Sequence, residues 1–202
     1  GEPLADFVAQ ATHGAYSGGQ KLEAASRSAA ASGASDPSFP LAQMLASIAT
    51  VIRAEIGIRV FYTEVSGGSF GGFDNHASQA GNHAALLEVM SESIGAFAAD
   101  LECDKLLDRV LIMTVSEFGR TVAENGRRGT DHGAAAPLFL VGGRVRGGLV
   151  GAHPSLTDLD NGALRFHTDF RRVYATVLDR WLGWPSRQAL GEAFSPLDVF
   201  QA

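Results

Sequence analysis

The chain has 202 residues, of which 46% are apolar, and a net charge of −6. This is the length of one domain or of a piece of a larger one, and the apolar content supports a sizeable core and argues against general disorder. No basic patch offsets the acidic balance, which argues against nucleic acid and anionic membranes as partners, and no apolar run nears the roughly 20 residues that cross a bilayer. The single Cys103 leaves no internal disulfide and no cysteine-based zinc knuckle. The oligomeric state stays open.

Residues 1–40, rich in Ala, Ser and Gly, read as a leading segment or linker that is helical around Pro3 to Tyr16 and polar from Ser28 to Pro40. Residues 41–202 then form the main body. Leu41, Met44, Leu45, Ile48, Ile52 and Ile56 keep helical spacing, with Pro40 in the first turn and Gly57 as a stop. Ile58 to Val65 is β-branched and aromatic and predicts a strand. A second amphipathic helix carries Leu87, Met90, Ile94, Phe97 and Leu101. Val110 to Val115 is apolar throughout, as in a strand buried on both faces of a parallel sheet, and Pro137 to Val141 reads as another short buried strand. Glycines from Gly142 to Gly151 punctuate a hairpin-like stretch. Thr168 or Asp169 caps a third helix, with Phe170, Val173, Tyr174, Val177, Leu178, Trp181 and Leu182 on one stripe and Gly183 and Pro185 as its end. The tail docks through Phe194, Leu197 and Phe200. Strands alternating with helices predict an α/β fold with a mainly parallel sheet.

Three clusters of hard ligands lie where strands are expected to end, which is where open α/β sheets build their sites. In GGFDNH, Asp74 and His76 are two apart and can turn to one side of an extended loop to share a cation. Carboxylate plus neutral imidazole suits Zn, Mn or Fe; the bland alternative is an Asx turn with a surface histidine. In GTDHG, Asp131 and His132 lie between glycines that let the backbone approach an ion closely; the alternative is a capping Asp and a core His. In SEFGR, Glu117 reads as ligand, general base or ion-pair partner of Arg120, and Arg120 as a clamp for an anionic oxygen. GGSFG also fits the nucleophile elbow at Ser69, but no helix follows directly as that turn requires. His83 reads as a capping or surface residue, near enough to His76 to substitute for it, and His13, His153 and His167 lack a partner cluster.

GGFDNH, VLIMTVSEFGRTVAENG, GTDHGAAAPLFLVGG and TDFRRVYATVLDRWLG occur in order, and together they resemble a bacterial family known as domain of unknown function fifteen-oh-one. The resemblance implies that the chain is the C-terminal half of proteins about twice its length, often exported by a twin-arginine signal to the periplasm. It also implies kinship with the alkaline phosphatase, sulfatase and phosphopentomutase superfamily, hence part of an α/β/α sandwich with metals between strand ends. By that resemblance Asp74, His76 and His132 hold a first metal. A second-metal Asp-His pair is replaced by Glu117 and Phe118, and Phe cannot ligate. One divalent cation, Zn, Mn or similar, is thus expected rather than two. The reading that follows is a metal-dependent hydrolase-like domain acting on a small anionic phosphate or sulfate ester, with Glu117 and Arg120 in catalysis and Asp131 and Glu117 as further ligands. Its rival is a catalytically degenerate metal-binding or scaffolding protein of the same fold.

Overall fold

The computed structural model describes residues 3–31, 39–65 and 72–201. The chain is mixed helix and short antiparallel strand and divides into two compact units, Gly1–Asp74 with Gly81–Lys105, and Asn75–Ala80 with Leu106–Ala202.

The first unit is helical. Helix α1 spans Pro3–Ala31, well beyond the expected end at Tyr16 and into the segment read as a linker. Ala and other helix-compatible residues dominate this stretch, so composition that looks linker-like is also sound helix composition. Residues 32–38 of the expected linker lie outside the described residues. Helix α2, Pro40–Arg53, starts on Pro40, whose missing N–H costs nothing in a first turn. It buries Leu41, Ala42, Leu45 and Ala49, whereas Met44 stays 38% exposed. The helix ends before Gly57 because Glu55 already takes a left-handed φ of 49°. Helix α3, Gln79–Cys103, buries Leu86, Ser93, Phe97 and Leu101 on one stripe. Arg53, at the end of α2, holds Asp100 at 2.8 Å and Asp104 at 2.6 Å near the end of α3. The expected strand Ile58–Val65 is extended but forms no ladder among the described residues, and Ile58, Val60 and Tyr62 are exposed. Strand propensity sets the local conformation; a ladder needs a neighbouring edge as well.

The second unit carries the paired strands. β1 (Ile112–Met113) pairs with β4 (Leu140–Val141), β2 (Gly119–Arg120) with β3 (His132–Gly133), and β5 (Leu159–Asp160) with β6 (Ala163–Leu164). All three pairings are antiparallel and two residues long, so the mainly parallel sheet is not among the described ladders. The runs Val110–Val115 and Pro137–Val141 do pair, but with each other, and the half-buried β1 is not the doubly covered strand expected. Pro137 has no N–H, and the ladder begins beyond it, with Thr114 donating to the Phe139 carbonyl at 3.0 Å. Thr121 bridges Ala163, which joins β2 to the β5–β6 hairpin. The Gly142–Gly151 stretch makes a turn, not a hairpin, and Val145 bridges Phe200 of the tail.

Helix α4, Phe170–Thr176, starts on Asp169, whose carboxylate accepts from the Arg171 N–H. The helix continues as a π-turn, Val177–Leu182, and stops at Gly183 with φ 64°. Helix α5, Ser186–Leu190, is anchored by Asp179, which accepts from both the N–H and the hydroxyl of Ser186 at 2.8 Å. The tail docks as expected: the Phe200 ring lies 5.5 Å from Trp181, Phe194 lies beneath Arg171 at 4.5 Å, and the Leu197 N–H donates to Thr176. Val199 of the same tail is buried, and its carbonyl accepts from the Arg146 N–H at 2.8 Å.

Candidate metal centre

The centre grows out of the β2–β3 hairpin and the segment 75–79. Arg120 and His132 are directly opposite each other in that ladder. Thr121 and Asp131 extend it: the Thr121 N–H donates to the Asp131 carbonyl at 2.8 Å and the Asp131 N–H to the Thr121 hydroxyl at 3.0 Å. Between them runs a loop whose turn is made by Asn125. Its side-chain oxygen accepts from the N–H groups of Arg127 (2.9 Å) and Gly129 (3.1 Å). Its amide donates to the His76 carbonyl and to Asp131 Oδ1, each at 3.2 Å. One side chain thus fixes the loop, the backbone of His76 and the Asp131 carboxylate together.

Segment 75–79 lies against this loop. Ser78 and Gln79 donate their N–H groups to the carbonyls of Arg127 and Arg128. Gly129 is buried, and a Cβ there would overlap the carbonyl and carbonyl carbon of His76, so no other residue fits. Arg120 braces the same junction, donating to the Thr130 hydroxyl at 3.0 Å, to the Thr130 carbonyl at 2.6 Å and to the Asn75 carbonyl. The Thr130 hydroxyl in turn donates to Gln79 Oε1 at 2.7 Å.

This bracing brings His76 and His132 together, their ring planes tilted by 40° and their Nε2 atoms 3.1 Å apart. Asp74, one peptide bond before Asn75, completes a group in which one carboxylate oxygen and two ring nitrogens all lie within 4.8 Å of one another. His76 Nδ1 sits 3.4 Å from Asp131 Oδ1. The Asn125 amide, and after it the His76 ring, hold the Asp131 carboxyl below the ordinary carboxylate range. An ionised carboxylate only accepts, so the tautomer of His76 that donates to Asp131 from Nδ1 is the one that offers the Nε2 lone pair to a cation. Two imidazole nitrogens, each about 2.0–2.1 Å from a tetrahedral cation, stand roughly 3.4 Å apart. The observed 3.1 Å is close to that, and Asp74 and His132 are exposed, so the donor set fits a divalent cation with a position open to solvent.

The residues singled out in the sequence separate into two sets. Asp74, His76 and His132 come together as ligand atoms, and Asp131 joins them from the far nitrogen of His76. Glu117 is exposed and lies outside the group of three. Next to it Phe118 is stacked on the His132 ring, with centroids 3.7 Å apart and planes 10° apart. His83 is not the simple surface residue expected: its Nδ1 is buried without a hydrogen-bond partner, and its ring meets Phe73 edge-on at 5.6 Å. His153 bonds to the carbonyl of Pro154 and His167 to the hydroxyl of Thr168. Ser69 lies outside the described residues. Asn125 and Gln79 were not among the residues singled out in the sequence, and Thr130 was only part of the GTDHG run. Only the Asn125-Gly126 dipeptide signalled its turn.

A model of the family described as "Protein of unknown function (DUF1501)" matches residues 10–187. Comparison with curated proteins and with solved structures yields no match.

Proposed function

The chain belongs to the DUF1501 family, and we propose that it is a metal-dependent hydrolase-like domain acting on phosphate or sulfate esters. The observation that supports this best is the convergence of Asp74, His76 and His132 on one point beside solvent. A divalent cation held there would supply Lewis-acid polarisation of an ester oxygen. The chain's own residues do the rest. Asp131 keeps the His76 lone pair aimed at the cation position, as outer-shell carboxylates do for ligating imidazoles. Glu117, exposed one residue before Phe118, is the candidate general base. Arg120 holds residues 75 and 130 in place, and we assign it this brace role ahead of the anion clamp because its donors already serve Asn75 and Thr130. The alkaline phosphatase-like α/β/α architecture and an exported location belong to the same proposal, on the strength of the motif resemblance alone.

The protein purified without chelator should carry close to one equivalent of a transition metal by elemental analysis. His132→Ala and His76→Ala should each lose it. Bis(p-nitrophenyl) phosphate or p-nitrophenyl sulfate should be hydrolysed, and Asp74→Asn should abolish turnover. Absence of metal in the purified protein, with His132→Ala unchanged in content, sinks the proposal. The second reading, a metal-binding protein without turnover, is favoured by Phe118, a residue that cannot ligate, stacked on His132. Bound metal with silence on every ester would establish it.

A further inference from the structure

We infer that Phe118 is a positioning residue for His132, holding the imidazole plane so that Nε2 points at the cation site; the inference rests on the metal-centre reading above. Register explains why the two rings meet. Arg120 pairs directly with His132, and Phe118 immediately precedes β2, two residues before Arg120, which is the offset of a diagonal neighbour of His132. Diagonal neighbours are within reach of an aromatic side chain. The backbone of Phe118 is itself tied, its carbonyl accepting from the Ser116 hydroxyl at 2.7 Å. Gly119 beside it is buried, and a Cβ there would overlap the Ala135 carbonyl, so the chain cannot easily shift at this point.

The geometry of the stack carries the rest. The rings lie face to face, 3.7 Å apart and within 10° of parallel. Two neutral aromatic rings favour an offset or edge-on arrangement over this sandwich, because their quadrupoles repel. An imidazole whose Nε2 faces a divalent cation is electron-poor, and an electron-poor ring is drawn to the negative face of a phenyl ring as a cation is. The arrangement therefore favours the metal-loaded centre over the empty one. Asp131 fixes His76 from its far nitrogen, and Phe118 fixes His132 through its face. Each imidazole thus has a separate device, one polar and one aromatic.

The test is titration of the full chain with Co(II) and Zn(II), comparing the original protein with Phe118→Leu, Phe118→Met and Phe118→Tyr. Leu and Met approximate the volume and remove the π face; Tyr keeps it. Phe118→Leu and Phe118→Met should weaken Co(II) binding about tenfold, within the range seen for outer-shell partners, and should shift the visible Co(II) absorption bands. Phe118→Tyr should retain both affinity and spectrum. Should Leu fail to fold, Met against Tyr still decides the matter. Unchanged affinity and spectrum in the Leu or Met variant, with the original protein binding metal, overturns the inference and leaves the metal centre standing. Equal losses in Tyr and Leu would also overturn it, since packing alone would then explain the effect. No binding of either metal by the original protein removes the metal centre itself, and the inference with it.

Discussion

Asn125 ties the parts of the candidate centre together without belonging to the ligand group. Four hydrogen bonds of its side chain reach Arg127, Gly129, His76 and Asp131. Truncation to Ala orphans two loop N–H groups and releases the carboxylate that orients His76. Asn125→Ala should cost about 1–3 kcal/mol in urea unfolding, the range for polar groups left unpaired. It should also weaken metal binding by about 10–100-fold, as loss of outer-shell support does, read by competition with a chromophoric chelator. Because the Asn125 amide is the largest cause of the lowered Asp131 pKa, that carboxyl should titrate closer to its ordinary range in the variant, seen by NMR. An Asn125→Ala protein with unaltered metal affinity would mean the loop is held by its backbone bonds alone.

At the scale of elements, the clearest case is α4. Asp169 accepts from the Arg171 N–H at 2.9 Å and from its guanidinium at 2.6 Å. The Arg171 side chain, and then its backbone N–H, hold the Asp169 carboxyl below its ordinary range. A lowered folded pKa contributes stability that is present above the unfolded value, about 3.9 for Asp, and is lost as pH falls through the folded value. Asp169→Asn should therefore lower Tm at pH 7, and the gap from the original protein should narrow as pH falls below about 3.9. A gap that is constant with pH would show that the cap works through hydrogen-bond geometry alone. The helices were legible in the sequence because periodicity and end signals are local. Of the expected α3 stripe, Phe97 and Leu101 are buried, but Leu86 is buried with them in place of Leu87, which is 39% exposed; Gly183 stopped the last helix with its left-handed φ. Strand partners were not legible. Val110–Val115 looked like a doubly buried parallel strand, yet its ladder is antiparallel, with a segment almost thirty positions on.

For the whole molecule, the metal proposal makes a thermodynamic claim. A ligand that binds only the folded state at 100 times its Kd adds about 2.7 kcal/mol to stability. Saturating Zn(II) should raise Tm of the full chain, EDTA should reverse the rise, and His132→Ala should abolish the response, all by calorimetry. A rise retained in His132→Ala would assign the effect to metal bound elsewhere. The sequence by itself determined helices α2 and α3, the start and end of the last helix, and the candidate ligand residues, since residue type and near-neighbour spacing carry that information. Only the tertiary structure decided which atoms converge. His76 and His132 are 56 positions apart, and their meeting depends on Asn125, Gly129 and Arg120 seating one segment on another. The same long-range packing turned Asp131 toward the far nitrogen of His76 and gave Phe118 a contact with His132. Spacing within a motif cannot encode such contacts, because each depends on the register between strands and on loops closed by distant partners.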